Sequence, residues 1–365
     1  MRKIKKIHLI YPVGNKISTP DTIGRHLKQN LEKFYEVKVY PFDAFCIIKP
    51  GKADVLLGHW HQNPLTTFRM SARQKGWKRI LPMAPFCPDP TGWHNAFART
   101  TIKYANRYLA ITGNAWMNRL KDSPFKHWEP KLIHLDLAID RNEFPLIKKD
   151  YNPPGKRKLI YIGHTAWCKN TEFLEILAQK LPHLHFSWAG SGRKLRNVAK
   201  LGEIDFSEKC SHNLLNEYDF LIMPSSSDAN PTTILEAMAW GIIPISSTQS
   251  GYEGFNSIPN ISIENLEETI SKIENLQFIE EKKLIKWRDE NLLLLKNHFN
   301  WDRFCKQVLD EIENQDSPLL KKTSNESISF LIEAEKKSPY YWVKPINLFL
   351  YLKTNLKNLL NKIFK

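Results

Sequence analysis

Asp228 and Glu236 stand on either side of a candidate helix start in MPSSSDANPTTILEAMAWGIIPIS, residues 223–246. Asn230 is a candidate N-cap, Pro231 suits the first helical position, and Gly241 can close the helix about three turns later. The first turn of such a helix leaves the amides of Thr232 and Thr233 without helical acceptors, at the positive end of the dipole, where a phosphate can bind. Carboxylates accept hydrogen bonds from sugar or ribose hydroxyls, so this one segment could grip both sides of a sugar diphosphate. A capped strand-to-helix connection with solvated acids is the other reading of the same residues.

A second segment, YIGHTAWCKN at 161–170, ends an apolar run at Gly163 and supplies Lys169 just before a helical pattern. Gly163 permits close approach of the backbone, Lys169 offers charge to a phosphate leaving group, and His164 could assist. Alone, such a segment fits a solvated lysine equally well. A third turn follows the first apolar run, in YPVGNKISTPDTIGRHL, with Gly14 ahead of Thr19 as candidate N-cap and Pro20 as first helical residue. His59 and His61 end another strand-like run, and His94 follows in TGWHN. Nothing in the spacing sets a Ser, a His and an Asp together as a nucleophilic triad.

Positioning these groups requires elements that alternate. KKIHLIYP, EVKVYPF, ADVLLGHW, RILPMAPF, RYLAIT and KLIHLDL read as strands in the first half, with IGRHLKQNLEKF and AWMNRLK among the helical patterns between them. KLIYIG, LHFSWAG, DFLIMPS and IIPISS play the same part in the second half, separated by TEFLEILAQKL and TTILEAMAW. This order predicts an α/β chain of two doubly wound, Rossmann-like domains with parallel sheets. Pro153, Pro154 and Gly155 mark a break, so the expected division is a domain at 1–148, a linker at 149–157, a domain at 158–315 and a basic segment at 316–365. Such sheets bind ligands beyond the carboxyl ends of their strands, which predicts a site in a cleft between the domains.

The residues resemble a family. Gly163 to Lys169 is similar to the Gly-Arg-x-x-x-x-Lys element of retaining GT-B glycosyltransferases of family four (glycosyl transferases group 1). Asp228-x7-Glu236 followed by Ala-Met-Ala-Trp-Gly is similar to their Glu-x7-Glu signature. Looser likeness runs through FSWAGSG, LGEIDFS, the run at 53–61 and KLIHLDLAIDRNEF, covering roughly residues 5–300. The resemblance implies an enzyme that transfers a hexose-type sugar with retained anomeric configuration from a UDP-, GDP- or similar donor, with no bound cofactor and no metal held by the protein. Lys169, with His164 in place of the usual arginine, would neutralise the diphosphate; Asp228, in place of the usual glutamate, would contact the hexose; Glu236 would contact the ribose. The amides from Asn230 to Thr233 would contact the sugar or phosphate region, and Gly14 would border the diphosphate from the other domain. The family's histidine after the fourth strand is missing from RILPMAPFCPDP, so His94 or His59 is the candidate for that role.

The formal charge of +15 is uneven: residues 1–150 carry 26 Lys and Arg against 12 acids, residues 151–316 carry 18 against 23, and residues 317–365 carry nine against three. This asymmetry favours an anionic glycan, lipid or lipid-linked acceptor on the first domain. Leu352, Leu356, Leu359, Leu360 and Ile363 share one helical face beside Lys353, Lys357, Lys362 and Lys365, after Tyr340, Tyr341 and Trp342. Residues 336–365 therefore read as an amphipathic segment that touches an anionic membrane without spanning it, or as a helix docked on the protein's own core. Five scattered cysteines fit a reducing cytoplasm better than a disulfide framework, and the basic, apolar start reads as a first strand rather than a signal peptide. The expected location is cytoplasmic, with peripheral contact at the inner membrane face. The expected role is in cell-surface polysaccharide or glycolipid synthesis. A GT-B enzyme that only isomerises or hydrolyses a nucleotide sugar is one alternative. A basic nucleic-acid-binding protein is another, although no helix-turn-helix, zinc-finger or RNP-like motif is present and no specific nucleic acid is expected.

Overall fold

A computed structural model describes residues 4–14, 18–42, 45–60, 65–89, 93–206 and 208–338, with the backbone alone at 93 and 94, and residues 349, 352, 353, 356, 357 and 360. The chain forms two compact units, one of Met1–Ile111, Asn118–Leu135 and Cys305–Lys365, the other of Thr112–Met117 and Asp136–Phe304.

The first unit is built on β1 (Lys6–Ile10), α1 (Thr19–Leu31), β2 (Glu36–Tyr40), β3 (Val55–Gly58), α2 (Leu65–Ala72), β4 (Arg79–Pro85), α3 (Trp93–Ala96), β5 (Tyr108–Ile111), α4 (Asn114–Arg119, which runs into it from the second unit) and β6 (Leu132–Leu135). Its strands lie in the order β2-β1-β3-β4-β5-β6 and every pairing is parallel. The buried runs VLLG of β3 and YLAI of β5 are apolar throughout, as strands covered on both faces must be. At the edge, β2 carries Glu36 and Lys38 on its more exposed positions, which discourages pairing with another chain.

The second unit holds β7 (Lys158–Ile162), α5 (Thr171–Lys180), β8 (His185–Ala189), β9 (Ala199–Gly202), α6 (His212–Asn216), β10 (Phe220–Met223), α7 (Thr232–Trp240), β11 (Ile243–Ser247), β12 (Asn260–Ile261), α8 (Leu266–Gln277) and α9 (Glu281–Asn297). Here α10 (Trp301–Glu313) begins, before continuing in the first unit, where α11 (Asn325–Lys337) follows. The order is β12-β11-β10-β7-β8-β9, again wholly parallel. Successive strands run outward from β7 to β9, then return to β10 on the other side of β7. This reversal is the switch point at which doubly wound sheets take ligands. It places the segment after β7, with Gly163 and Lys169, beside the segment after β10, with Asp228 and Asn230.

Two helix starts differ by one residue from the sequence reading. Ser18, not Thr19, caps α1: its hydroxyl accepts from the Asp21 amide at 3.3 Å while donating to the Asp21 carboxylate at 2.5 Å, a closed pair that Thr19 does not make. In α7 the N-cap is Pro231 rather than Asn230, because the Asn230 carboxamide oxygen accepts from the Leu137 amide at 2.8 Å instead of turning back on its own helix. Gly241 does close α7, in a left-handed conformation with φ 85°. No described helix is long and apolar enough to cross a membrane.

Candidate functional site

The second unit gathers Gly163, His164, Lys169, Asp228, Asn230, Pro231, Thr232, Thr233 and Glu236 around the β7/β10 switch point. Gly163 ends β7 with φ 149°, a region that side chains rarely adopt, and its carbonyl accepts the Trp188 indole N–H at 2.9 Å. Tyr161 Oη donates to the His164 carbonyl at 2.7 Å, and a single 3-10 turn, Trp167–Lys169, then delivers the lysine. The Cys168 carbonyl accepts from the amides of Ser226 at 2.9 Å and Ser227 at 3.3 Å, which stitches the turn to the loop after β10. Lys169 Nζ then meets the Asp228 carboxylate in a short ion pair whose side chains are both mostly covered.

Because the Asn230 carboxamide is diverted to Leu137, the start of α7 carries no side-chain cap, and the amides of Thr232 and Thr233 have no acceptor among the described residues. Two uncompensated N–H groups at a helix start, with an ammonium group on the adjoining turn, suit a diphosphate. Asn230 Nδ2 and Ser225 Oγ are buried here without partners among the described residues, so further polar groups in this loop remain unspent.

Glu236 lies one turn into α7, partly exposed yet crowded by protein on most sides. Burial pushes its carboxyl up to about 7, while a hydrogen bond from Thr232 and the charge of Lys169 oppose the rise. A carboxyl with a raised folded pKa favours its protonated form in the folded chain, so the folded state loses stability as pH climbs from about 4.5 to about 7. Glu236→Gln, which keeps the shape and removes the charge, is expected to melt increasingly above the unaltered protein from pH 5 to pH 8, by at most about 3 kcal/mol. Parallel melting curves across that range would contradict this assignment. His164 moves the other way: burial, then repulsion from Lys169, lowers its pKa despite Asp228, and its Nδ1 accepts from the Ala166 amide at 3.2 Å. It presents a neutral Nε2–H donor here rather than a second positive charge.

Three groups that sequence reasoning missed hold this loop in place. Trp116 donates its indole N–H to the Asp228 carbonyl at 2.8 Å, and the Gly113 amide donates to the Ala229 carbonyl at 2.9 Å. A β-carbon added at Gly113 would fall 1.9 Å from the Gly251 carbonyl oxygen, so the two backbones touch. Tyr252 Oη donates to the Pro231 carbonyl at 3.2 Å. The only signal in the sequence was a glycine just beyond a strand-like run, which is common to many turns.

The remaining candidates belong to the first unit. The Gly14 amide is taken by Asp21 Oδ1 at 3.0 Å. His59 is buried at the end of β3, with its ring edge-on to Tyr11 and tilted against Phe42. His94 lies in α3 with its side chain outside the described residues, as is all of His61.

Residues 156–276 match the family model described as glycosyl transferases group 1. No curated protein sequence matches the chain. Among solved structures, a sucrose-phosphate synthase from Thermosynechococcus elongatus is 11% identical, with 84% of this chain and 98% of that chain covered and a TM-score of 0.62. An alpha-glucosyltransferase in complex with UDP-glucose and DNA is 12% identical over 86% and 100% of the two chains, at a TM-score of 0.56. A trehalose-6-phosphate synthase, studied with bisubstrate glycomimetics for transfer with retention, is 10% identical over 82% and 80%, at 0.54. With the free start of α7, the lysine and the two carboxylates inside the matched segment, residues 156–276 are similar to a glycosyl transferases group 1 domain, in a chain with the GT-B class of fold.

Proposed function

We propose that the chain is a retaining hexosyltransferase that takes its sugar from a nucleoside diphosphate donor, UDP- or GDP-linked, and passes it to a glycan, lipid or lipid-linked acceptor of cell-surface polysaccharide or glycolipid synthesis. The observation that carries this reading is the uncapped first turn of α7, flanked by Lys169, Asp228 and Glu236. The barrier to transfer is separation of the glycosidic bond from a pyrophosphate, so fixed positive potential at the leaving group contributes most. In this reading the amides of Thr232 and Thr233 receive the phosphate oxygens, and Lys169 turns from Asp228 to the β-phosphate. His164 donates from Nε2, the released Asp228 carboxylate accepts from hexose hydroxyls, and Glu236 accepts from the ribose. Retention follows the resemblance of 163–169 and 228–241 to the retaining family, and a similar trehalose-6-phosphate synthase is studied for transfer of that kind.

A nucleotide that binds only the folded chain raises its melting temperature. UDP or GDP is expected to do so at millimolar concentration while CMP does not, and Glu236→Ala should abolish the shift with its own fold intact. Equal, negligible shifts with all nucleotides would remove the donor site. Sugar released or isomerised at the rate of donor consumption, whatever acceptor is offered, would select the hydrolase or isomerase alternative.

The acceptor proposal includes peripheral contact with a membrane at the cytoplasmic face. Leu352, Leu356 and Leu360 stand one helical turn apart and are 56%, 59% and 44% exposed, with Lys353 and Lys357 beside them. Deleting residues 339–365, which spares α11, is expected to end co-sedimentation with phosphatidylglycerol vesicles. Undiminished sedimentation of the shortened chain would place any membrane contact elsewhere.

A further inference from the structure

Arg69 in α2 is a half-buried residue with no hydrogen-bond or ion-pair partner among the described residues. Covered arginines are ordinarily paired, because desolvating an uncompensated charge is expensive. Its charged neighbours are Arg73, exposed just beyond the end of α2, and Arg99, in the turn Phe97–Thr100 that follows α3. Burial and these two like charges lower the pKa of Arg69 to about 10. The carboxylate that reaches the group is Glu335 of α11, buried and held 2.8 Å from Arg99 Nη2. Beside them, Arg99 Nε and the hydroxyls of Thr100 and Thr101 are buried without partners among the described residues, and Thr101 is only 1% exposed. Among the described residues, three guanidinium groups against the Glu335 carboxylate leave a local charge of +2, in the unit that carries the positive excess.

We propose that Arg69, Arg73 and Arg99 form a binding site for a phosphate group on the helical layer of the first unit, with Glu335 fixing the Arg99 fork. A phosphate monoester carries nearly two negative charges at neutral pH and three acceptor oxygens, and guanidinium forks match that geometry in pairs. The site belongs to the first unit and the donor-binding loops of α5 and α7 to the second, and its occupancy does not depend on the sugar-transfer reading. If that reading holds, the site would also retain a phosphorylated acceptor.

The full-length protein, with UDP present to occupy the other phosphate-binding loops, is treated with phenylglyoxal, and modification of Arg69, Arg73 and Arg99 is followed by peptide mass spectrometry. Inorganic phosphate is compared with chloride at equal ionic strength, and phosphatidylglycerol vesicles with phosphatidylcholine vesicles. Modification at Arg73, the exposed member, is expected to slow about fivefold at a ligand concentration about four times Kd. Protection by inorganic phosphate assigns a soluble phosphate ester; protection by the anionic vesicles alone assigns a lipid phosphate. A change under about twofold with both overturns the site. In Arg69→Gln, checked for an unchanged melting temperature, protection at Arg73 and Arg99 should vanish, and its persistence would equally overturn a shared site. Failure here leaves the nucleotide-dependent melting shift untouched, so the two readings fall separately.

Discussion

Replacing Lys169 by alanine is expected to lower kcat about 10²- to 10³-fold, the range typical for loss of one preorganised charge or donor at a developing anion. The KM for the donor should change less, because the α7 amides and Glu236 still hold it. The substitution also strands Asp228, whose side chain is mostly covered and whose ion partner is Lys169. Lys169→Met with Asp228→Asn removes both charges and separates the two effects. If the single variant is inactive merely because it is unstable, the pair should recover melting temperature but not turnover. A Lys169→Ala enzyme with full kcat would show that the leaving group is neutralised by something else.

Gly113→Ala is expected to be strongly destabilising. Its β-carbon would lie 1.9 Å from the Gly251 carbonyl oxygen and 2.4 Å from that residue's carbonyl carbon and Cα, and backbone cannot swing aside as a side-chain tip can. Overpacking of this kind costs about 3 kcal/mol or more where the obstacle is rigid. The strain would fall on the hydrogen bond from Gly113 to the Ala229 carbonyl, hence on the loop bearing Asp228. Gly254→Ala is the control: φ is 94°, so alanine is strained by about 1 kcal/mol, but its β-carbon meets nothing within 4 Å. Urea midpoints and donor turnover should fall together for Gly113→Ala, whereas Gly254→Ala should show a smaller fall in midpoint with turnover kept. Equal midpoints for the two variants would show that the close approach relaxes without cost.

Ten of the twelve strands among the described residues were legible as apolar β-branched runs, because strands sandwiched between helical layers must be apolar on both faces. The two that escaped, β9 (AKLG) and β12 (NI), are short and only partly covered at the sheet edges, so burial left little mark on their composition. Capping residues were legible to within one position. Ser18 and Thr19 offer the same hydroxyl, and only the path of Asp21 decides between them. Asn230 was read as a cap by its type, yet its carboxamide serves a residue 93 positions away. Lys169 and Asp228 were each legible as charged groups near strand ends, but their pairing across 59 positions required the sheet order. For His59, the packing of Tyr11 and Phe42 around the ring was invisible in a list of residue types.

The Asn230–Leu137 bond also bears on how the second unit can be cut. The matched family segment spans 156–276, but Leu137, Trp116 and Gly113 precede it in the chain and brace its loop from outside that interval. A fragment expressed from residue 156 onward would keep Lys169, Asp228 and Glu236 while losing the three struts that aim them. Its Asn230 would then be at liberty to swing back and plug the helix start, as Asn does at ordinary helix ends. Excision at the family boundary would thus leave the helix start blocked by the loop's own side chain.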